Sequence, residues 1–295
     1  MIVSGSRSQT LAAALARELE QPLAAVEYDR FPDGELLASV PDFSAADTDR
    51  AVIVASTVSS DAHLEVLQLQ DAVREAGVEE VVTVLPYMGY GRQDEAFEAG
   101  QPISSRAVAR AISTGADRVL TVDPHEEGVC DFFEPTAEAV AAAGRLADPL
   151  PADLTDPVFL SPDAGAIELA ETVRDAYGER EGEDEGEVDY FEKTRLSGEE
   201  VEISPSDTAV EGRDVVVTDD IIATGSTMSE AVAILHERGV DRVFVTCVHP
   251  LLTSNAYTKL SRAGVEAIYG TDTIEGPASV VSVAPTLAAA LETNY

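Results

Sequence analysis

The chain has 295 residues and is 45% hydrophobic, enough for one large core or two medium ones, and two domains are the expected count. It carries 55 acidic against 19 basic residues, a formal net charge of −36, so its long-range field repels a nucleic-acid backbone and excludes nucleic acid as a partner. No apolar run approaches bilayer-spanning length, and MIVSGSRSQT has no basic region followed by an apolar stretch, so neither membrane association nor a secretory leader is expected.

In chain order, MIVSG reads as a short strand and the apolar spacing over 9–20 as a helix. Strand-like segments follow near 24–28, 35–40 and 51–55. A helix over about 62–76 ends at Gly77 and leads into the apolar strand VVTVLP. A further helix over 104–114 feeds the strand RVLTVD. The small, polar, Pro-rich segment AAAGRLADPLPADLTDP places a domain boundary near residue 145. Beyond it, VFLSPDAG puts a turn after a strand, and a helix runs to about Tyr177. The stretch GEREGEDEGEVD reads as a solvated connection. DVVVTDDIIATGST gives strand, loop and helix start, followed by helix 228–238, strand RVFVTC, helix 255–263 and strand VEAIYG. Short apolar strands alternating with helices indicate mostly parallel sheets covered on both faces, in an α/β fold whose two halves share one rhythm.

The acidic residues are spread through helical segments such as ARELEQP and REAGVEE, while the aliphatic pattern survives between them. This is a folded surface coated in carboxylates, like those of proteins from a high-salt cytoplasm, where salt screens self-repulsion. Cys130 and Cys247 are far apart in sequence and form no CxxC, which suits free thiols in a reducing, cytoplasmic setting. Only two of the 19 basic residues are lysines, Lys193 and Lys259. Lys259 belongs to no motif and reads as incidental.

Ligands of parallel α/β sheets sit beyond the C-terminal strand ends, so the polar motifs that follow strands carry the information. In VVVTDDIIATGSTM a strand ends at Asp219 and Asp220, and Thr224, Gly225, Ser226 and Thr227 lead into a helix. Gly225 permits a tight turn, while backbone N–H groups and three hydroxyls suit a phosphate. The carboxylate pair suits the vicinal hydroxyls of a sugar, directly or through Mg²⁺. An ordinary capped helix is the competing account. The segment is not a Walker A loop, for it has no GxxxxGK[ST] run.

In the first half, Phe31 stands beside the turn Pro32-Asp33-Gly34-Glu35, where it either fills a core edge or stacks on a purine. The loop YMGYGRQDEAF offers Arg92 as a planar fork for phosphate oxygens, with Gln93 and Asp94 for polar groups of a nucleoside; pairing of Arg92 with a nearby Glu is the alternative. VDPHEEGVCDFF groups Asp123, His125, Glu126 and Glu127 after a strand. Hard oxygen ligands favour Mg²⁺ over zinc there, and Asp163 of SPDAG offers a second metal contact. Lys193 and Arg195 are two residues apart, which places them on one face only in an extended segment.

Taken together, FPDGE at 31–35, GRQD at 91–94, DPHEEGVCDFF at 123–133, SPDAG at 161–165, KTR at 193–195 and DDIIATGST at 219–227 resemble the ribose-phosphate diphosphokinase (phosphoribosyl pyrophosphate synthetase) family, in its order and over most of the chain. The last motif alone would also fit a phosphoribosyltransferase. The resemblance implies two tandem phosphoribosyltransferase-like domains, 1–145 on the ATP side and 146–295 on the ribose 5-phosphate side. It implies transfer of the diphosphoryl group of Mg·ATP to ribose 5-phosphate by a homo-oligomer, a dimer or larger even assembly, whose nucleotide pockets are shared between subunits. Phe31, Asp33, Glu35, Arg92, Gln93 and Asp94 would then contact ATP, and His125 and Asp163 would hold Mg²⁺. Asp219, Asp220 and Thr224, Gly225, Ser226 and Thr227 would hold ribose 5-phosphate, and Lys193 and Arg195 would be catalytic. Two departures stand out: GRQDEAF lacks the basic residues many members carry after the Asp, and DPHEEG is unusually acidic. The size matches the shorter archaeal members.

Overall fold

Aliphatic strands covered on both faces decide the architecture. Val215–Val217 and the whole of VFVTCVH are buried, as parallel strands sandwiched by helices require. The computed structural model describes residues 1–41, 43–44, 48–182, 186–197, 200–205 and 208–293, and within 192–205 it describes the backbone alone. The chain forms two units. The first comprises Met1–Ala141, Asp272–Glu275 and Ser282–Tyr295, and the second Ala142–Thr271 and Gly276–Val281.

In the first unit the chain runs β1 (Ile2–Ser4), α1 (Gln9–Glu18), β2 (Glu27–Arg30), β3 (Leu36–Ser39), β4 (Arg50–Val54), α2 (Ser60–Glu75), β5 (Glu80–Leu85), α3 (Ser104–Ser113), β6 (Arg118–Val122) and β7 (Thr136–Val140). Strands β1-β4-β5-β6-β7 form a wholly parallel sheet in that order. Val3, Ile53, Val81 and Val119 meet Val66, Leu69, Ala109 and Ile112 in its core. The strands β2 and β3, expected as further sheet elements, instead form a separate antiparallel hairpin. It is pinned to α2 because Ala38 N–H donates to Gln68 Oε1 (2.7 Å) and Gln68 Nε2 donates to Leu36 O (2.9 Å).

The second unit continues with β8 (Val158–Ser161), α4 (Ile167–Glu181), β9 (Glu187–Ser197), β10 (Glu200–Pro205), β11 (Val215–Ile221), α5 (Ser226–Glu237), β12 (Val243–His249), α6 (Ala256–Ala263), β13 (Ala267–Thr271) and β14 (Ser279–Val281). Its sheet has the order β10-β9-β8-β11-β12-β13-β14, parallel except for the β9–β10 pair. Of the supposed solvated connection, 178–181 is the end of α4, closed by the left-handed Gly182, and 187–189 is strand; 183–185 lie outside the described residues.

The closing helix α7 (Ala284–Glu292) belongs to the first unit. It packs on α1, and Arg118 Nη2 donates to Ala290 O (3.2 Å). A continuous second domain over 146–295 therefore differs from the observed partition, because the chain re-enters its first unit at Asp272–Glu275 and again after β14. At the base of the second unit's sheet, Arg242 donates from Nε to Asp214 Oδ1 (3.0 Å) and from Nη2 to Asp214 Oδ2 (2.6 Å). Asp214 is fully buried and also accepts from Thr155 N–H (2.7 Å).

Candidate active site

The residues singled out by sequence fall into two groups, one in each unit. In the second unit, β11 delivers Asp219 and Asp220 to the C-terminal end of the sheet, both half-buried. Burial, then the Asp220 and Asp163 carboxylates, push the pKa of Asp219 well above the ordinary carboxylate value. Asp163 follows β8, where its Oδ1 accepts from Gly165 N–H (3.1 Å). These carboxylates thus form one electrostatic group. Beneath them, Cys247 is a buried free thiol that accepts from Ile222 N–H (3.2 Å).

The following corner is built around Gly225, which sits at φ +67° as the N-cap of α5. Only glycine adopts that conformation without strain, and an added Cβ would also meet Ala256 and Leu260 at 3.4 and 3.5 Å. A glycine cap has no side chain to satisfy the first N–H groups of α5, and Thr224, Ser226 and Thr227 are exposed around them. An ordinary Ser or Asx cap is thereby set aside.

Lys259, which the sequence left without a role, lies at this corner. Its Nζ donates to Thr224 O (3.0 Å) and to Ser226 Oγ (2.8 Å). The available signal was the rarity of lysine; the link itself spans 35 positions.

Lys193 and Arg195 are in β9, in register with Ile203 and Val201 of β10. The backbone there is extended; their side chains lie outside what the structure describes. Strand β9 pairs with β8 only over Glu187–Tyr190 and with β10 from Phe191 onward. The two strands therefore form an arm running past the C-terminal end of β8, the end from which Asp163 follows.

In the first unit, Phe31, Asp33 and Glu35 occupy the tip of the β2–β3 hairpin. Phe31 is 48% exposed, which excludes the core-edge role. Asp33 Oδ1 accepts from Glu35 N–H (3.2 Å), and Arg30 donates to Gly34 O (2.8 Å) while pairing with Asp61.

The loop after β5 holds Arg92, Gln93 and Asp94. Arg92 is exposed, and no ion pair among the described residues includes it, so the alternative of surface pairing does not hold. Gln93 is used within the loop: its Oε1 accepts from Ser104 Oγ (2.9 Å) and its Nε2 donates to Pro102 O (3.2 Å). His125 is exposed on the turn after β6, near Asp123 with its positive φ of 33°.

The loop rests on a tight floor. Gly89 N–H donates to Thr57 Oγ1 (2.8 Å), and a Cβ there would meet Thr57 O at 2.1 Å and His63 Nε2 at 3.0 Å. Both ring nitrogens of His63 are buried without a hydrogen-bond partner, and burial lowers its pKa to about 4, so the ring is neutral at physiological pH. Gly89→Ala is expected to destabilise the first unit by about 2–3 kcal/mol through overpacking. A lowered urea midpoint checks this; an unchanged midpoint would mean the floor yields freely.

Among the described residues, no three His, Cys, Asp or Glu side chains converge as a metal cage, and no helix is long and apolar enough to cross a membrane.

Residues 1–115 match the family model described as the N-terminal domain of ribose phosphate pyrophosphokinase, and residues 135–282 match the phosphoribosyl transferase domain. The chain is 62% identical to the ribose-phosphate pyrophosphokinase of Halobacterium salinarum, over 99% of this chain and 100% of that one. It is 45% identical to the protein of the same name from Methanopyrus kandleri, over 99% and 98%. Its fold is similar to the crystal structure of phosphoribosylpyrophosphate synthetase from Mycobacterium smegmatis, with a TM-score of 0.83 and 28% identity, covering 100% of this chain and 98% of that one.

Proposed function

We propose how the two groups of residues work from the fact that this chain belongs to the ribose-phosphate pyrophosphokinase family. The reaction transfers the diphosphoryl group of ATP to the 1-hydroxyl of ribose 5-phosphate, giving 5-phosphoribosyl 1-pyrophosphate and AMP. The anomeric oxygen attacks the β-phosphorus, the bond from that phosphorus to the α,β-bridging oxygen breaks, and AMP leaves with its electron pair.

The observation that carries the assignment of residues is the corner between β11 and α5. Two carboxylates end the strand, and a left-handed glycine with no side chain caps the helix among three exposed hydroxyls. That arrangement suits a ligand with a vicinal diol at one end and a phosphate at the other. Asp219 and Asp220 hold the ribose hydroxyls, and Thr224, Gly225, Ser226 and Thr227 hold the 5-phosphate. Phe31 stacks on adenine, with Asp33 and Glu35 beside it. Arg92 meets the polyphosphate, and Gln93 and Asp94 complete the loop that carries it. Lys193 and Arg195 enter on the β9–β10 arm and neutralise charge that spreads over the phosphoryl oxygens as the bonds change.

The residues fit Mg²⁺. It keeps several waters and takes one or two carboxylates plus substrate phosphates rather than a full protein cage, and its charge would relieve the crowding that raises Asp219. In the second unit Asp163 would offer it a carboxylate and in the first His125 would offer a ring nitrogen, and when bound it would supply Lewis-acid polarisation of phosphoryl oxygens. The exposed Phe31 supports a pocket completed by a second copy, hence a dimer or larger even assembly. The −36 charge and the likeness to the Halobacterium salinarum protein support work in a high-salt cytoplasm.

The test is AMP release in molar KCl with Mg·ATP, with and without ribose 5-phosphate. The expected result is AMP only when the sugar phosphate is present, matched by an equal amount of pyrophosphorylated sugar. Folded protein that releases no AMP under those conditions would instead fit a non-catalytic subunit.

A further inference from the structure

Lys259 is held at the phosphate corner by the packing of α6. Ala256 and Leu260 are fully buried on that helix, and both stand within 3.5 Å of where a Cβ on Gly225 would be. Lys259 lies between them in sequence, so the helix that walls Gly225 also brings the ammonium to the loop. The segment before α6 fixes the same corner from below: Leu252 N–H donates to Ile222 O (2.8 Å) and Thr253 N–H to Ala223 O (2.9 Å). The loop is thus braced on two sides by one continuous stretch, 252–260.

The partners of the ammonium are informative. The chain has 55 carboxylate side chains, yet among the described residues no ion pair includes Lys259. It donates to a carbonyl and a hydroxyl, both neutral acceptors at the rim of the corner. Its positive charge is therefore not neutralised by a direct partner. An ammonium has three N–H donors, and these two bonds leave one uncommitted. Donation to Ser226 Oγ also fills an acceptor site of that hydroxyl, so its own hydrogen can turn outward as a donor. The ammonium and the Ser226 hydroxyl thus give the loop end of the corner one positive charge and donors to spare, set apart in sequence from the carboxylates that end β11.

We propose that Lys259 is the cation of the phosphate site: it supplies the counter-charge for the dianionic 5-phosphate of the sugar substrate and sets Ser226 as a donor toward it. This rests on the assignment of ribose 5-phosphate to the β11–α5 corner and adds a residue to it from a different helix.

The test compares the full-length parent, Lys259→Met and Lys259→Arg in molar KCl, varying each substrate in turn and following AMP. Loss of a charged hydrogen-bonding partner is expected to raise KM for ribose 5-phosphate about 10- to 100-fold in the Met variant, with KM for ATP within about 2-fold. The Arg variant is expected to recover most of the loss. Competition separates charge from shape: inorganic phosphate should lose potency against the Met variant while ribose, which lacks the phosphate, should not. A loop that had merely collapsed would lose both. If the Met variant does not fold by thermal melt, Lys259→Gln carries the same comparison. An active parent whose Met variant keeps its KM for ribose 5-phosphate would overturn this inference alone, whereas a parent that forms no AMP would overturn the assignment beneath it as well.

Discussion

Lys193→Ala is expected to slow AMP formation by about 10²- to 10³-fold, the effect of removing one donor aimed at transition-state charge, while ATP affinity changes by no more than about 3-fold. Both substrates are highly anionic, and the charge on the phosphoryl group redistributes as one P–O bond forms and another breaks. An ammonium is a compact charge that can follow that movement. In the second unit, the β9–β10 arm runs past the end of β8, on the side where Asp163 and Asp219 lie, and so presents Lys193 from an extended hairpin rather than from the sheet's core. Binding is spread over other groups, and for that reason the loss should fall on turnover. Single-turnover AMP release, with ATP affinity measured separately by titration, makes the distinction. A variant that turns over within a few-fold of the parent would remove Lys193 from the chemistry.

The largest loss of stability is expected from Asp214→Asn. The carboxylate is fully buried and takes two hydrogen bonds from Arg242 and one from Thr155, so the change removes the near anion and leaves the guanidinium only its longer pair with the exposed Asp153 (3.5 Å). Breaking a buried pair from one side costs about 3–5 kcal/mol, and the lower figure applies because the Arg242 side chain keeps 29% of its exposure. Exposed pairs such as Arg30–Asp61 should contribute about 1 kcal/mol or less.

The pH dependence has a definite sign. Burial alone would raise the pKa of Asp214, but the Arg242 and Thr155 hydrogen bonds outweigh it and hold the pKa below its ordinary value. A lowered folded-state pKa contributes stability that is present above the unfolded-state value, about 3.9, and is lost as pH falls through the folded one. Urea unfolding at constant KCl should therefore show the full gap between parent and variant at pH 7. The gap should narrow as pH drops below about 4. A gap that stays constant down to acid denaturation would mean that charge is not what Asp214 contributes.

Much of the fold was legible because its strands are short, aliphatic and bounded by helices. VVTVLP and RVFVTC could be read directly, since burial on both faces removes any alternation. The strand TAEAV could not, for its exposed positions and small residues carry little apolar signal. The separate β2–β3 hairpin was missed as such because strand propensity does not say which sheet a strand joins. At the site, Asp219 to Thr227 were legible as a continuous motif whose geometry follows from one glycine. Lys259 was not, because its relation to Ser226 exists only after α6 has packed against the corner, and no local pattern encodes a contact at that separation.

The return of the chain to its first unit sets an order on biosynthesis. A ribosome delivers residues 1–141 long before α7 exists, so the nascent first unit must wait with the face of α1 uncovered. The second unit, complete once β14 has emerged, can close earlier although it begins later. Vectorial synthesis and the order of final assembly thus run in opposite directions. A truncation just after Val281 should yield a chain whose late-made half is protease-resistant and whose early-made half is the one exposed to quality control.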